Sequence, residues 1–103
     1  MRRAAKVDAN HAAIRTAFKR MGCSVLDTFT LGRGAPDMVV SCTHGTWCVE
    51  VKDGNKSPSR RALTPDQESF HHNWKGLIYI VESVADVPGV ILSACRACKE
   101  ESA

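Results

Sequence analysis

Three charged residues in the middle of the chain, Asp37, Glu50 and Lys52, have the types that metal-assisted chemistry on phosphate esters requires. Magnesium prefers hard oxygen ligands and keeps several waters, so one or two carboxylates plus a phosphate oxygen can hold it. A bound divalent cation polarises the phosphate and lowers the pKa of a coordinated water. A lysine beside it can orient that water or stabilise the charge that builds on phosphorus.

The three residues lie on a predicted β-hairpin with strands over residues 37–42 and 46–52. Strand side chains alternate between two faces, so the valines of the second strand share one face while Glu50 and Lys52 share the other. A tight turn at His44-Gly45 joins the two strands. This turn sets which residues of the two strands lie opposite each other.

The predicted register stacks apolar residues on one face of the hairpin. Its opposite pairs are Val40–Val49, Met38–Val51, Val39–Glu50 and Asp37–Lys52. Asp37 and Glu50 are then diagonal neighbours, roughly 7–8 Å apart, on the same face as Lys52. A surface salt-bridge cluster is the competing interpretation. The Gly-x-Gly loop at 32–34 and the basic, flexible segment at 53–63 beside the charges favour a site.

The surrounding pattern predicts one α/β domain over residues 1–103, with the order α-β-β-β-α-β-α and a sheet flanked by helices. A first helix begins after a cap at Asp8 or Asn10 and stops at Gly22. Residues 23–29 predict the strand that precedes the hairpin.

The second half of the chain supplies two more helices and a strand. A Thr-x-x-Gln capping box at 64–67, with proline at the first helical position, starts the second helix. The apolar segment 76–83 predicts a strand covered on both faces. A last helix runs from Val84 onward, interrupted or started at Pro88, and residues 98–103 predict a frayed tail.

Composition places the chain among ordinary globular domains, with 103 residues and a net charge of +3. The five cysteines are an odd number without framework spacing, which indicates free thiols in a reducing cytoplasm. Cys95 and Cys98 lack two further ligands at zinc spacing, so we expect them to pack rather than bind metal. No apolar run suits a bilayer and no secretory signal opens the chain, so we expect a cytoplasmic protein without a membrane partner.

The motifs around these residues resemble the VRR-NUC family, which includes small standalone nucleases of phages and bacteria within the PD-(D/E)xK superfamily. They are GAPDMVV, WCVEVKDG, LTPDQESFHHNW and IYIVES, within a match from about Asp8 to Ser83. The resemblance implies a restriction-endonuclease-like mixed β-sheet flanked by helices, and a nuclease that uses Mg²⁺ or Mn²⁺. It also implies branched or Holliday-junction-like DNA as substrate and a homodimer, for which the apolar face of the last helix is our expected contact. No small-molecule cofactor is expected.

The resemblance also implies roles for individual residues. Asp37 and Glu50 match metal ligands of the family, and the carbonyl of Val51 is a further expected ligand. Lys52 matches the catalytic lysine, and Gln67 matches a glutamine often counted with the family's site.

One position departs from the family, whose first helix usually presents Glu or Gln toward the metal. Here the matching residue is His11. An imidazole nitrogen favours softer metal ions, whereas magnesium is better suited to a carboxylate. His11 as a ligand therefore predicts a shift toward manganese or reduced activity. The competing interpretation is a histidine at a helix start that bonds the backbone.

Four basic residues in loops flank the predicted site: Arg33, Lys56, Arg60 and Arg61. They are the candidate DNA-binding residues, because contacts to phosphates give affinity without reading sequence. The competing interpretation is a solvated loop. Arg33 favours the functional interpretation since two glycines frame it next to Asp37, while both remain open for the other three.

Two further pairs on the second helix have structural interpretations. Phe70 and Trp74, four residues apart, predict core packing rather than base stacking. His71 and His72 are adjacent and point apart on a helix, so we expect one packed and one exposed ring.

We therefore predict a divalent-metal-dependent DNA nuclease that selects structure rather than sequence, since no segment has the pattern of a base-reading helix. The alternative is a non-catalytic DNA-binding module with a degenerate metal site, in which His11 marks the lost ligand. A third hypothesis is a small interaction protein whose charge cluster is structural.

Overall fold

The computed structural model describes residues 7–102, with side chains as far as residue 98. Its helices are α1 (His11–Arg20), α2 (Pro65–Asn73) and α3 (Val87–Ser102), and its strands are β1 (Ser24–Asp27), β2 (Met38–Cys42), β3 (Gly45–Val51) and β4 (Ile78–Val81). Short 3-10 turns cover Phe29–Leu31, Pro58–Arg60 and Val84–Asp86. The predicted order of elements is confirmed.

The four strands form one mixed sheet in the order β1-β2-β3-β4. β1, β2 and β3 pair antiparallel as a meander, and β4 pairs with β3 in parallel after the chain has passed through α2. β3 is therefore an inner strand with a neighbour on each side. This position holds the residues at its end firmly in place.

The hydrophobic core lies between one face of the sheet and the helices α1 and α3. Its buried residues are Ile14, Phe18, Cys23, Met38, Val40, Trp47, Val49, Val51, Val81, Val87, Val90 and Ala94. In contrast, α2 has no buried residue. Since Val49 and Val51 point into the core, Glu50 between them points to the opposite face, where α2 lies.

The sequence predicted the end of α1 from a glycine and the start of α2 from a capping box, and both are confirmed. At the end of α1, Gly22 has φ +91°, and the Cys23 amide donates to the Phe18 carbonyl at 3.0 Å. At the start of α2, the Gln67 amide donates to Thr64 Oγ1 at 3.2 Å, and the Thr64 amide donates to Gln67 Oε1 at 3.0 Å. These two bonds complete the predicted capping box.

Asn10 occupies the predicted cap position of α1 but its side chain makes no cap bond. Its Nδ2 donates instead to the carbonyls of Lys52 at 3.2 Å and Glu82 at 3.0 Å. Asn10 thus ties the start of α1 to the ends of β3 and β4.

The predicted hairpin register is wrong by two residues. Thr43 and His44 form the turn, and the pairs are Met38–Val49, Val39–Cys48, Val40–Trp47, Ser41–Thr46 and Cys42–Gly45. A shift by two leaves every side chain on its predicted face, so the hydrophobic pattern does not distinguish the two registers. Gly45 lies in β3 rather than in the turn, at a position where a Cβ would overlap the Cys98 side chain of α3.

Three further predictions differ from the structure. They concern the end of the first strand, the coverage of β4 and the extent of the last helix. The first strand ends at Asp27, because Phe29 opens a 3-10 turn. β4 is not covered on both faces, since Ile80 is 46% exposed. The last helix starts at Val87, with Pro88 in its first turn, and continues through Ser102 over most of the predicted tail. Ala103 lies outside the described residues.

None of the five cysteines, which all lie in the described part of the chain, forms a disulfide; two are buried and three are partly buried. Cys42 Sγ and Cys95 Sγ lie 3.5 Å apart between β2 and α3. Cys98 lies against Gly45 of β3. None of the helices described between residues 7 and 102 is long and apolar enough to cross a membrane.

Candidate active site

Two carboxylates meet where β2 begins and β3 ends. Continuing the observed register by one residue places Asp37 opposite Glu50, not opposite Lys52 as predicted. Asp37 Oδ2 accepts a hydrogen bond of 2.7 Å from the Val51 amide, which orients its carboxylate toward the end of β3. Glu50 is only 1% exposed.

The environment of Glu50 disfavours its ionised form. Burial raises the pKa of Glu50 most, and the adjacent Asp37 carboxylate adds to the rise, which brings the value to about 9. Its Oε1 is buried and has no hydrogen-bond partner. At neutral pH Glu50 therefore holds a proton. A divalent cation could displace this proton and bind Oε1.

Lys52 is joined to Glu50 through Gln67. Lys52 Nζ donates to Gln67 Oε1 at 2.7 Å, and Gln67 Nε2 donates to Glu50 Oε2 at 3.2 Å. Lys52 is 7% exposed and forms no ion pair with a carboxylate of the described residues. Because Gln67 Oε1 also accepts from the Thr64 amide, the capping box of α2 holds the bridging side chain in place.

His71 was not predicted at this site but faces it. It lies one turn after Gln67 on α2, with its Nε2 3.8 Å from Glu50 Oε1. Burial and the charge of Lys52 lower the pKa of His71, so the ring is neutral at neutral pH. This distance is too long for a hydrogen bond, and both facing atoms are buried without a partner. The spacing of four residues between Gln67 and His71 was the sequence signal that could have placed His71 at the site. His72 is exposed, as expected for one of the two adjacent histidines.

His11 has a different partner from the predicted metal. The buried ring donates from Nε2 to Asp27 Oδ1 at 3.0 Å and contacts Phe29 edge-on at 5.2 Å. Arg15 donates to the other oxygen of Asp27 at 2.7 Å. The competing interpretation, a ring bonded to the backbone, is wrong, because the partner of the ring is a side chain.

The structure does not bring His11 together with Asp37 and Glu50 as three ligands. Within residues 7–102, no group of three or more His, Cys, Asp or Glu side chains is arranged to hold a metal ion. The pair of carboxylates fits a cation that takes its other ligands from water, phosphate and backbone carbonyls, as Mg²⁺ and Mn²⁺ do. The ligand roles of His11 and of the Val51 carbonyl stay predictions.

The Gly-x-Gly loop packs against the first turn of α2. Gly32, Arg33 and Gly34 all have positive φ, at 71°, 55° and 79°. A Cβ at Gly34 would overlap the backbone of Asp66, so only glycine permits this close approach. Arg33 is exposed beside the site, in a conformation that non-glycine residues rarely adopt.

The other predicted DNA-binding residues divide into two groups. Lys56 Nζ donates to Asp8 at 3.3 Å, and Arg61 donates to Glu82 at 2.8 Å, so both help to fix the loop before α2. Arg60 is exposed and, like Arg33, has no ion pair with the described residues. These two cations are the ones free to meet a phosphate.

Comparison with solved structures identifies one with the same arrangement of elements. It is described as a VRR_NUC domain and superimposes with a TM-score of 0.60 at 30% sequence identity. The superposition covers 79% of this chain and 88% of that chain. No family model matches the sequence, and no curated protein matches it.

Proposed function

Because the chain belongs to the VRR-NUC family of nuclease domains, we propose that it hydrolyses DNA phosphodiester bonds with a divalent metal ion. The observation that supports this most is the buried Glu50. Its pKa of about 9 and its unpartnered Oε1 fit a carboxylate pair that would bind a cation. A buried carboxylate costs stability unless it is paired, so its position favours a function over a structural role.

Asp37 and Glu50 would hold Mg²⁺ or Mn²⁺, with the carbonyl of Val51 as a further ligand. When bound, such an ion polarises the phosphate and lowers the pKa of a coordinated water. Asp37 is held for this role by the Val51 amide at 2.7 Å. Glu50 is held by Gln67 Nε2 through its other oxygen, which leaves Oε1 available.

Lys52 would stabilise the negative charge that develops on the phosphate oxygens. Its ammonium group has one described partner, Gln67 Oε1, so it retains donors for a substrate oxygen. Gln67 keeps Lys52 and Glu50 at fixed positions through both ends of its amide. The helix cap in turn restrains Gln67, so the site depends on α2 being formed.

The finer proposals concern the substrate and the assembly. Arg33 and Arg60 would contact phosphates, which gives affinity for any sequence and fits selection of branched or Holliday-junction-like DNA by its shape. We also propose a cytoplasmic homodimer that cuts two strands. Leu92, 67% exposed on α3, belongs to the apolar surface proposed as the contact, and sedimentation at two concentrations tests it.

Cleavage of forked, four-way and linear duplex DNA tests the function. We expect cutting with Mg²⁺ or Mn²⁺, none with chelator, and a loss of about 100-fold or more in Lys52→Ala, as for other removals of a charge-stabilising group. Lys19→Ala, at the exposed end of α1, is the matched control and should cut normally. Undiminished cutting by Lys52→Ala would contradict the assignment. Salt-sensitive binding without any cutting would favour the non-catalytic module.

A further inference from the structure

The side of α2 that continues from Gln67 carries two aromatic rings outside the hydrophobic core. Phe70 and Trp74 stack with their centroids 5.2 Å apart and their planes at 19°. Neither ring belongs to the core or packs against it, and Trp74 is 44% exposed. The sequence prediction that both rings pack in the core is wrong. Trp74 is exposed on the surface, and the partly buried Phe70 lies under it in the stack.

A cavity of about 310 Å³ lies beside these rings. Its walls are Arg33, Asp66, Ser69, Phe70, Asn73 and Trp74. The volume falls at the small end of ligand pockets, about 300–1,000 Å³. The walls thus combine an aromatic surface with a cation and several hydrogen-bonding groups.

The cavity adjoins the proposed catalytic site. Trp74 is seven residues along α2 from Gln67, which corresponds to about 10 Å along the helix axis. Arg33 is four residues before Asp37 in the loop that packs on the first turn of α2. A DNA strand with a phosphate at Asp37 and Glu50 would therefore have neighbouring nucleotides within reach of the cavity.

We infer that this cavity binds one unpaired nucleobase of the DNA strand, an inference that rests on the proposed nuclease function and specifies its substrate. Bases stack on exposed aromatic side chains regardless of sequence, because every base has a π-face. A base inside a duplex is already stacked and paired, so it would have to leave the helix at a cost. The cavity therefore selects strands with unpaired bases.

The charges of the cavity favour a base over a phosphate. The Asp66 carboxylate in its wall repels an anion, while Arg33 supplies a cation for the adjoining backbone. Asn73 Nδ2 donates to the Ser69 carbonyl at 2.9 Å, and the Oδ1 of the same amide is a hydrogen-bond acceptor in the wall. Either Asp66 or Asn73 can accept a hydrogen bond from the amino group of a base.

Tryptophan fluorescence can detect the base directly, in the Glu50→Gln variant so that the DNA stays intact. Trp47 is 1% exposed in the core, so quenching by added DNA reports Trp74. We expect single-stranded oligodeoxycytidylate to quench the emission. Trp74→Ala should weaken binding of this strand about tenfold and of a blunt duplex less than twofold, measured by anisotropy of labelled DNA.

Two further variants separate stacking from folding. Trp74→Phe keeps an aromatic ring and should retain most of the single-strand affinity. Met21→Ala removes an apolar side chain that is 51% exposed at the end of α1 and should change neither affinity. Equal weakening of strand and duplex by Trp74→Ala, or no weakening of either, would overturn the inference.

Cleavage assays keep this inference distinct from the proposed function. If the wild-type protein cuts forked DNA and Trp74→Ala cuts forked and blunt DNA at wild-type rates, the base site is wrong and the nuclease stands. If the wild-type protein never cuts but Trp74-dependent binding of single strands persists, catalysis is wrong and the base site stands.

Discussion

Two carboxylates in this domain, Asp27 and Glu50, are held in opposite ways. Each oxygen of Asp27 accepts a hydrogen bond, from His11 at 3.0 Å and from Arg15 at 2.7 Å. Burial acts to raise the pKa of Asp27, but these bonds and charges outweigh it and lower the pKa. Asp27 is therefore stable as an anion without further ligands.

Glu50 lacks such partners. It has one donor, Gln67 Nε2, and its second oxygen has none. Its nearest charged neighbours include Asp37, which raises its pKa further. Two hydrogen-bond donors stabilise the ionised form of Asp27 without a cation. A carboxylate that is buried beside another carboxylate requires a cation to stabilise its ionised form. The comparison explains why Asp27 is structural and why Glu50 marks the proposed metal site.

The largest expected effect is the pH dependence of stability in the metal-free protein. The pKa of Glu50 is about 9 in the folded chain and about 4.5 in the unfolded chain. The folded state therefore keeps a proton that the unfolded state loses, and the stabilisation, full below pH 4.5, declines as pH rises toward 9. The free energy of unfolding, relative to Glu50→Gln, should fall by about 1.4 kcal/mol per pH unit within that window.

Chemical denaturation of both variants at several pH values, with chelator present, measures this decline. Glu68→Gln, the same substitution at an exposed site on α2, should follow the wild type. Added Mn²⁺ should restore more stability at pH 8 than at pH 5, because binding displaces the proton. A wild-type curve parallel to that of Glu50→Gln would mean that Glu50 resembles Asp27 after all.

The second-largest expected effect comes from replacing Gln67, the only hydrogen-bond donor described for Glu50. Gln67→Ala should lower activity about 10–100-fold, as loss of a side chain that orients metal ligands does, and should lower stability by about 1 kcal/mol through the helix cap. Thr64→Ala removes the other half of the capping box and is the matched control. It should lose similar stability and keep its activity, measured well below the melting temperature. Equal loss of activity in both variants would assign Gln67 to folding alone.

The sequence was sufficient for the features that depend on local pattern. Alternation on β3 placed Glu50 and Lys52 on one face, and Gly22, Thr64 and Gln67 marked helix ends. Hairpin register was out of reach, because a shift by two leaves all faces unchanged. In the observed register Gly45 lies against Cys98 of α3, which is a contact between distant parts of the chain.

The residue types of the candidate site were predictable from the sequence, but the hydrogen bonds that join its residues were not. The spacing predicted Asp37, Glu50 and Lys52 on one side of the hairpin. Gln67 as the bridge between Lys52 and Glu50 depends on how α2 lies over the sheet. No periodicity links His11 to its partner sixteen residues away.

The smallest expected effect tests the other half of the comparison. Asp27→Asn leaves the His11 ring and Arg15 without a carboxylate, so it should destabilise the protein by about 1–2 kcal/mol. It should leave Mn²⁺ affinity, measured by calorimetry, within twofold of the wild type, because the proposed ligands are Asp37, Glu50 and the Val51 carbonyl. Arg15→Ala, which removes the more exposed half of the cluster, should cost less than 1 kcal/mol. If Asp27→Asn weakened Mn²⁺ binding as strongly as Glu50→Gln, His11 would belong to the metal site, and the division between a structural and a functional carboxylate would fail.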